Sequence, residues 1–161
     1  MLTIEAIQAR RYLEVVVAGP LSAQDFLRVA DGRLCVAVNR GLWIQPNAFS
    51  HYVSYHSANI QEIQRGWQGI TWVQQPNTAV SPTWGHLVDN MFSGGSSALF
   101  GVSVALQYLG ATQVILTGVS LSELSYQRYR DNWRQHRKLL SSCVRAITPG
   151  WVKEFLEGRE V

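Results

Sequence analysis

The stretch SGGSSALFGVSVALQYLGATQVILTGVS, residues 93–120, decides the fold. Its glycines free the backbone to turn, and Ser96 or Ser97 can cap the helix that follows. The helix has an apolar face typical of a buried segment, formed by Ala98, Val102, Ala105, Leu106 and Leu109. Gly110 stands where a left-handed helix end is expected, and the run 114–116 is too apolar for an exposed strand. We therefore predict a glycine loop, a buried helix and a buried strand, in that order.

Buried strands and short helices alternate along the rest of the chain. The run Leu13–Ala18 is rich in valine and without alternation, which is typical of a strand buried on both faces of a parallel sheet. Ser22, with Asp25 three residues later, resembles a capping box and predicts a helix through Ala30. Further strands are predicted at 34–38, 52–54 and 70–73, with a helix at 58–65.

Three other stretches are interpreted from their local composition. Turn-forming residues fill 74–90, which predicts a long loop. The segment 126–145 is polar and predicts one long helix. Thr148 and Pro149 predict the start of the last helix, with Thr148 as its N-cap and Pro149 at an early helical position.

This order of elements predicts a three-layer α/β domain with a mainly parallel sheet, and residues 1–161 are expected to form that single domain. Ligands of open parallel sheets bind beyond the carboxyl ends of the strands. That rule points to the loops at 19–22, 39–41, 54–56 and 118–120. The glycine loop at 93–97 should face the same edge, where the start of a helix attracts anions.

Composition limits the function classes. Apolar residues make up 47% of the chain and charged residues 16%, and the net charge of +3 suits an anionic ligand. No long run of lysine or arginine accompanies that charge, which argues against a nucleic-acid-binding protein. The chain has six tryptophans, which is many for its length. Tryptophans fill a core, line a ligand cleft or mark a surface for self-association, and because of the third possibility we expect a homo-oligomer.

The cysteines and the amino-terminal sequence bear on location. Cys35 lies in an apolar run, and it and Cys143 are the only cysteines, which argues for a reducing compartment rather than a disulfide scaffold. The stretch MLTIEAIQARRY lacks an apolar core of signal-peptide length, and no segment is long and apolar enough to span a bilayer. We expect a cytoplasmic protein with no membrane partner.

Three motifs in order carry a family resemblance: VVVAGPLS at 15–22, AVNRG at 37–41, and the stretch 93–120. Together they resemble the sialyltransferase-like glycosyltransferases of bacteria, the related archaeal hydroxymethylpterin pyrophosphokinase-like proteins, and short phage-borne relatives. The resemblance covers most of the chain, and its specific part is the stretch 93–120. It implies a doubly wound, Rossmann-like fold, a nucleotide ligand and, in the transferase branch, no obligatory metal or other cofactor.

The resemblance also implies which residues bind the ligand. In the transferases, a glycine loop after the first strand and an asparagine after the second hold the nucleotide sugar. These positions correspond here to Gly19, Pro20, Ser22 and Asn39. The Ser-Gly turn before the central helix contacts the sugar nucleotide in that family, which adds Ser93, Gly94, Gly95 and Ser96. Ser120 joins this predicted set because it closes the central strand at the ligand edge.

The chain departs from the family pattern at two positions that concern catalysis. Relatives carry an acid in the motif that closes the central strand, and this chain has Ser120 there, whose hydroxyl supplies no charge. The transferases place a histidine shortly before the following helix, where this chain reads Tyr126–Arg130. These departures leave open a second hypothesis, a non-catalytic binding or assembly protein that keeps the fold.

His56 is the best candidate for a general base, because it follows a predicted strand at the ligand edge. The alternative is a polar loop residue that holds backbone groups. Arg128 and Arg130 are candidates for a clamp near a leaving phosphate, and the alternative is a solvated helix face. His51 and His56 lie five residues apart with no acid or cysteine to complete a ligand set, so no metal site is expected. The preferred hypothesis is a nucleotide or nucleotide-sugar binding domain with the activity of a small, metal-independent glycosyltransferase.

Overall fold

A sheet of seven parallel strands forms the centre of the computed structural model, which describes residues 3–9, 11–63, 66–75 and 85–159. The strands are β1 (Glu14–Ala18), β2 (Leu34–Val38), β3 (His51–Ser54), β4 (Ile70–Gln74), β5 (His86–Val88), β6 (Gln113–Thr117) and β7 (Val144–Ala146). Their order across the sheet is β5-β4-β3-β2-β1-β6-β7.

Helices cover both faces of this sheet. They are α1 (Ile4–Gln8), α2 (Ala23–Ala30), α3 (Ser57–Ile63), α4 (Ser97–Gln107), α5 (Gln127–Gln135), α6 (Arg137–Cys143) and α7 (Trp151–Leu156). One apolar cluster packs α2 and α3 against one face. A larger cluster packs five helices, α1, α4, α5, α6 and α7, against the other face. The three-layer, Rossmann-like α/β prediction is therefore confirmed, and the sheet is parallel throughout.

Strand β1 lies at the centre because its residues are apolar on both sides. Val15 and Val17 belong to the cluster beneath α4, whereas Val16 and Ala18 belong to the cluster beneath α2. All four side chains are fully buried. The valine-rich run thus packs into both layers at once, as expected for the middle strand of a parallel sheet.

Helix α4 packs against the sheet through Gly101. A Cβ atom at this position would lie 2.9 Å from Val17 Cγ1 of β1 and 3.3 Å from the side chains of Val38 and Val53 on the next strands. The missing side chain lets the helix backbone approach the sheet closely. Every residue from Ser97 to Ala105 is buried, so α4 is the core helix that its sequence predicts.

The strand order reverses at one place. The chain lays down β1 to β5 in one direction across the sheet and then returns, so that β6 pairs with β1 on its other side. A reversal of this kind opens a crevice at the carboxyl ends of the two strands. Here it lies between the loops that follow β1 and β6.

The prediction of one long loop over 74–90 was wrong at its end. Residues His86–Val88 form strand β5, which pairs in parallel with β4, and residues 76–84 lie outside the described part. A strand of three residues among turn formers has no periodic pattern of its own. Its stability comes from the pairing with β4, which local sequence does not reveal.

The prediction of a single helix over 126–145 was also wrong. The chain forms α5, turns at His136 (φ −116°, ψ 22°), forms α6, and continues directly into the edge strand β7. The turn at His136 allows Trp133 and Leu140, one from each helix, to be fully buried against the same apolar cluster. Strand β7 is three residues long and pairs with β6.

Thr148 does not cap the last helix. Helix α7 begins at Trp151, after Gly150, and its N-cap makes no side-chain hydrogen bond. The Thr148 hydroxyl instead contacts the loop after β6 and the first turn of α2. Of the predicted helix at 58–65, the structure describes α3 at Ser57–Ile63, and residues 64 and 65 lie outside the described part.

Candidate functional site

A cleft of about 160 Å³ opens at the reversal point of the sheet. Its walls are the loop 19–21 after β1, the end of β2 at 38–39, the start of α4 at 96–98, and the loop 118–121 after β6. Glu123 and Tyr126 complete the lining. Four separate segments of the chain therefore converge where the fold class places its ligands.

Two glycines let the loops after β1 and β6 meet. A Cβ atom on Gly19 would lie 2.6 Å from the carbonyl oxygen of Gly118, and one on Gly118 would collide with the carbonyl oxygen of Gly19. Gly118 also has a left-handed backbone (φ 67°), which favours glycine. Its carbonyl accepts a hydrogen bond from the Leu21 N–H (3.2 Å). The floor of the cleft is thus two glycine turns in direct contact.

Thr148 joins these turns to α2 by a chain of hydrogen bonds. Its hydroxyl accepts from the Gly118 N–H (2.7 Å) and donates to Asp25 Oδ2 (2.9 Å). Asp25 in turn lies in the first turn of α2, where its N–H donates to the Ser22 hydroxyl (3.2 Å). The predicted N-cap at Ser22 is confirmed. The Ser22 hydroxyl caps α2, and Ser22 is not one of the residues that line the cleft.

The loop 118–123 is held from behind by α5 and α7. Arg130 donates from Nε to the Leu121 carbonyl (2.9 Å) and from Nη2 to the Ser122 carbonyl (2.8 Å). The Val152 N–H, from the first turn of α7, donates to the Ser120 carbonyl (2.9 Å). Leu121 has a left-handed backbone (φ 52°), which these contacts stabilise. Arg130 therefore supports a wall of the cleft from outside, with its guanidinium over the Trp151 ring.

The start of α4 brings backbone donors to the opposite wall. Ser96 is the N-cap, and its hydroxyl accepts from the Leu99 N–H (3.2 Å). The Ser97 hydroxyl accepts from the Tyr55 N–H (3.0 Å), which ties the helix to the end of β3. The N–H groups of Ser97 and Ala98 have no acceptor within the helix, because they belong to its first turn.

Asn39 occupies the end of β2 in a left-handed conformation (φ 52°), which asparagine tolerates better than most residues. Its Oδ1 accepts from the Ser54 hydroxyl (2.6 Å), and the Ser54 oxygen accepts from the His56 N–H (2.9 Å). His56 is exposed and, among the described residues, is not one that lines the cleft. Its backbone is nevertheless connected to the site through Ser54 and Asn39.

The glycine-rich turn 93–95 precedes the cleft wall without lining it. Asn90 is buried, and its Nδ2 lies 2.6 Å from Tyr55 Oη and 3.1 Å from the Gly94 carbonyl, so it fixes the path of the turn. Burial raises the pKa of the Tyr55 hydroxyl, which keeps this phenol protonated as a partner for Asn90. Ser93 has a left-handed backbone (φ 59°), as does Gly95 (φ 100°).

The structure brings together part of the predicted site. The predicted ligand-binding residues that line the cleft are Gly19, Pro20, Asn39, Ser96 and Ser120. The predicted residues that lie outside the described lining are Ser22, Ser93, Gly94, Gly95, His56, Arg128 and Arg130. Arg128 is exposed on α5, where its guanidinium donates to the Tyr129 hydroxyl (2.9 Å) and lies over that ring.

Sequence reasoning missed the residues that close the cleft on its outer side. Leu21, Glu123 and Tyr126 line it, and Leu21 and Tyr126 are 61% and 39% exposed. Leu21 lies within the loop 19–22, to which the strand-end rule points, but it is not itself predicted as a ligand contact. Tyr126 is predicted as the start of the helix over 126–145, and no role is predicted for Glu123. The positions of both depend on the contacts of Arg130 and α7 with the preceding loop.

Comparisons of the chain with protein-family models and with curated proteins found no match. In the part of the chain that the structure describes, no set of three histidine, cysteine, aspartate or glutamate side chains is arranged to hold a metal ion. Within the same residues, no helix has the length and apolar character needed to cross a membrane.

Proposed function

We propose that the cleft binds a nucleotide or a nucleotide sugar. The observation that carries this proposal is the position of the cleft at the reversal point of a parallel sheet, between the loops after β1 and β6. Ligands of doubly wound folds bind at this point. The family resemblance implies Gly19, Asn39 and Ser96 as ligand contacts, and all three line this cleft.

The chemistry of the walls suits the two ends of such a ligand. The first N–H groups of α4 and the Asn39 side-chain amide are hydrogen-bond donors for a phosphate. On the outer side, Leu21 and Tyr126 present an apolar and aromatic surface that suits a base or a sugar ring. All of these contacts are made by protein groups, so the proposed binding does not require a metal ion.

Transfer of a sugar from the bound nucleotide is the activity that the motif resemblance implies. His56 is the candidate base for that reaction, and it follows β3 at the same edge of the sheet. The His56 N–H donates to the Ser54 hydroxyl, which in turn donates to the Asn39 side chain. In this proposal, the domain catalyses mainly by orienting donor and acceptor.

A second candidate function is binding or assembly without catalysis. Two observations favour it. First, the candidate catalytic residues do not line the cleft. The ionisable residues of the described lining are Glu123 and Tyr126, whereas Arg128 and Arg130 donate hydrogen bonds to other protein groups. Second, Trp43 is 50% exposed, whereas Trp72 and Trp133 are fully buried, so the surface for the expected homo-oligomer would include Trp43.

Calorimetric titration tests the proposal. The ligands are CMP, UDP, GDP, ATP and CMP-sialic acid, each with magnesium and with EDTA. We expect binding of at least one ligand that does not depend on magnesium. Asn39→Asp keeps the size of the side chain and its acceptor for Ser54 but replaces the amide donor with a negative charge. Its affinity should fall by about tenfold or more.

Asn47→Asp is the matched control, because it makes the same change at an exposed position before β3. It should leave the affinity unchanged. Equal affinities in the wild type and Asn39→Asp would contradict the proposed site. Absence of binding across the whole series, in a folded sample that light scattering shows to be oligomeric, would favour the assembly protein.

A further inference from the structure

The charge of the cleft is unusual for a site that accepts phosphates. Its described lining contains one charged side chain, the Glu123 carboxylate, and no lysine or arginine. Arg130 is close in space, since its Nη2 lies 3.5 Å from the Glu123 carbonyl oxygen. However, its guanidinium donates to the backbone of Leu121 and Ser122, behind the cleft wall.

The Glu123 carboxylate has no direct ionic partner among the described residues. Within the described residues it forms no ion pair and no hydrogen bond, and the side chain is exposed at the mouth of the cleft. A carboxylate in this setting attracts hydrogen-bond donors such as ribose hydroxyls. It repels a second negative group that enters the cleft beside it.

The size of the cleft makes this repulsion relevant. Its volume of about 160 Å³ is small beside ligand pockets of roughly 300–1,000 Å³. A nucleotide would therefore extend past the enclosed part, and each added phosphate brings more negative charge to a cleft whose described lining has one carboxylate and no lysine or arginine. No cation of the described lining is present to offset the added charge.

We infer that Glu123 is a specificity-determining residue that selects against ligands with more than one phosphate. This inference rests on the proposed function, because it concerns the same cleft. The favoured ligands are nucleosides and nucleotides with a single phosphate, and a nucleoside di- or triphosphate binds more weakly with each added charge.

The test is a titration of the wild type with the mono-, di- and triphosphate of one nucleoside, in EDTA and at low salt. We expect the monophosphate to bind most tightly. Glu123→Gln removes the charge from an exposed position and should strengthen diphosphate binding about threefold relative to the monophosphate. This gain should shrink at high salt, where exposed charges are screened. Glu5→Gln is the matched control, because α1 contacts the far end of α4 through Gln8 and Gln107, away from the cleft.

The outcomes separate the two proposals. If the triphosphate binds most tightly to the wild type, or if Glu123→Gln changes all three affinities equally, the role of Glu123 is overturned and the proposed function stands. If neither protein binds any nucleotide while both are folded, the proposed function is overturned, and the role of Glu123 with it.

Discussion

Thr117, the last residue of β6, has a buried polar side chain and directly precedes the loop 118–121 that lines the cleft. Its side chain is fully buried, and its hydroxyl has no hydrogen-bond partner within the described residues. Burial of an unpaired hydroxyl costs free energy because its hydrogen bonds to water are lost without replacement. The neighbouring Thr148 hydroxyl, by contrast, makes two hydrogen bonds. The two threonines therefore respond differently to loss of the hydroxyl.

We expect Thr117→Val to stabilise the protein by about 1 kcal/mol, because valine keeps the shape of the side chain and removes the unpaired group. Chemical denaturation of the wild type and the variant, with free energies of unfolding extrapolated to water, measures the change. A loss of stability greater than about 1 kcal/mol would show that the hydroxyl has a partner in solution.

At the scale of single residues, the sequence predicted those residues of the cleft lining that lie after strand ends. Gly19, Asn39 and Ser120 each follow or close a strand that is recognisable by its apolar run, and the ends of parallel strands meet at one edge. Glu123 was not predicted. Its position depends on the hydrogen bonds of Arg130 and Val152 to the loop 118–123, which connect parts of the chain with no common local pattern.

Elements are joined at the cleft by Thr148, which belongs to the segment between β7 and α7. Through Gly118 it contacts the loop after β6, and through Asp25 it contacts the first turn of α2. The hydroxyl is buried, and the carboxyl side chain of Asp25 is only 14% exposed. A hydrogen bond to a carboxylate in such a setting contributes more than one between neutral groups. Thr148 therefore fixes the distance between α2 and the floor of the cleft.

Thr148→Val should destabilise the protein by about 2 kcal/mol, since the Gly118 N–H loses its partner and the Asp25 carboxylate keeps, among the described residues, only its ion pair with Arg28. The Gly118 amide should also exchange faster with deuterium, which NMR can follow. Thr148→Ser keeps the hydroxyl and should restore most of the protection. Normal protection of Gly118 in Thr148→Val would contradict the role of this hydroxyl.

Long elements were predictable and short edge elements were not. Strand β1 is a short run rich in β-branched residues that ends at Gly19, whereas helix α4 is an apolar segment of 11 residues after a serine cap, so length, branching and flanking residues distinguish the two. Strands β5 and β7 have three residues each and exist because β4 and β6 provide neighbours for pairing. The turn at His136 likewise reflects the burial of Trp133 and Leu140 on one cluster rather than a helix-breaking residue.

For the molecule as a whole, stability in acid depends on a buried histidine far from the cleft lining. His51 of β3 is 4% exposed, and its Nδ1 accepts a hydrogen bond from Trp72 Nε1 (3.0 Å) on β4. His86 of β5 also packs against the Trp72 ring, with 5.1 Å between ring centres. Burial, with a smaller contribution from the charge of His86, lowers the pKa of His51 to about 4.

This shift predicts how the free energy of unfolding changes with pH. The unfolded chain binds a proton at His51 near pH 6.5, whereas the folded chain binds it only near pH 4. The contribution of His51 to the free energy of unfolding is therefore fully present above pH 6.5 and is lost as the pH falls towards 4, by about 3 kcal/mol in total.

The variant His51→Gln tests this prediction, because glutamine provides an acceptor for the Trp72 N–H and does not titrate. The difference between the two curves reports His51 together with its electrostatic coupling to His86, since every other ionisable group is the same in both proteins. Urea denaturation at intervals from pH 7 to pH 4.5 should give a shallower loss of stability in the variant than in the wild type, and parallel curves would mean that His51 is protonated equally in the folded and unfolded states.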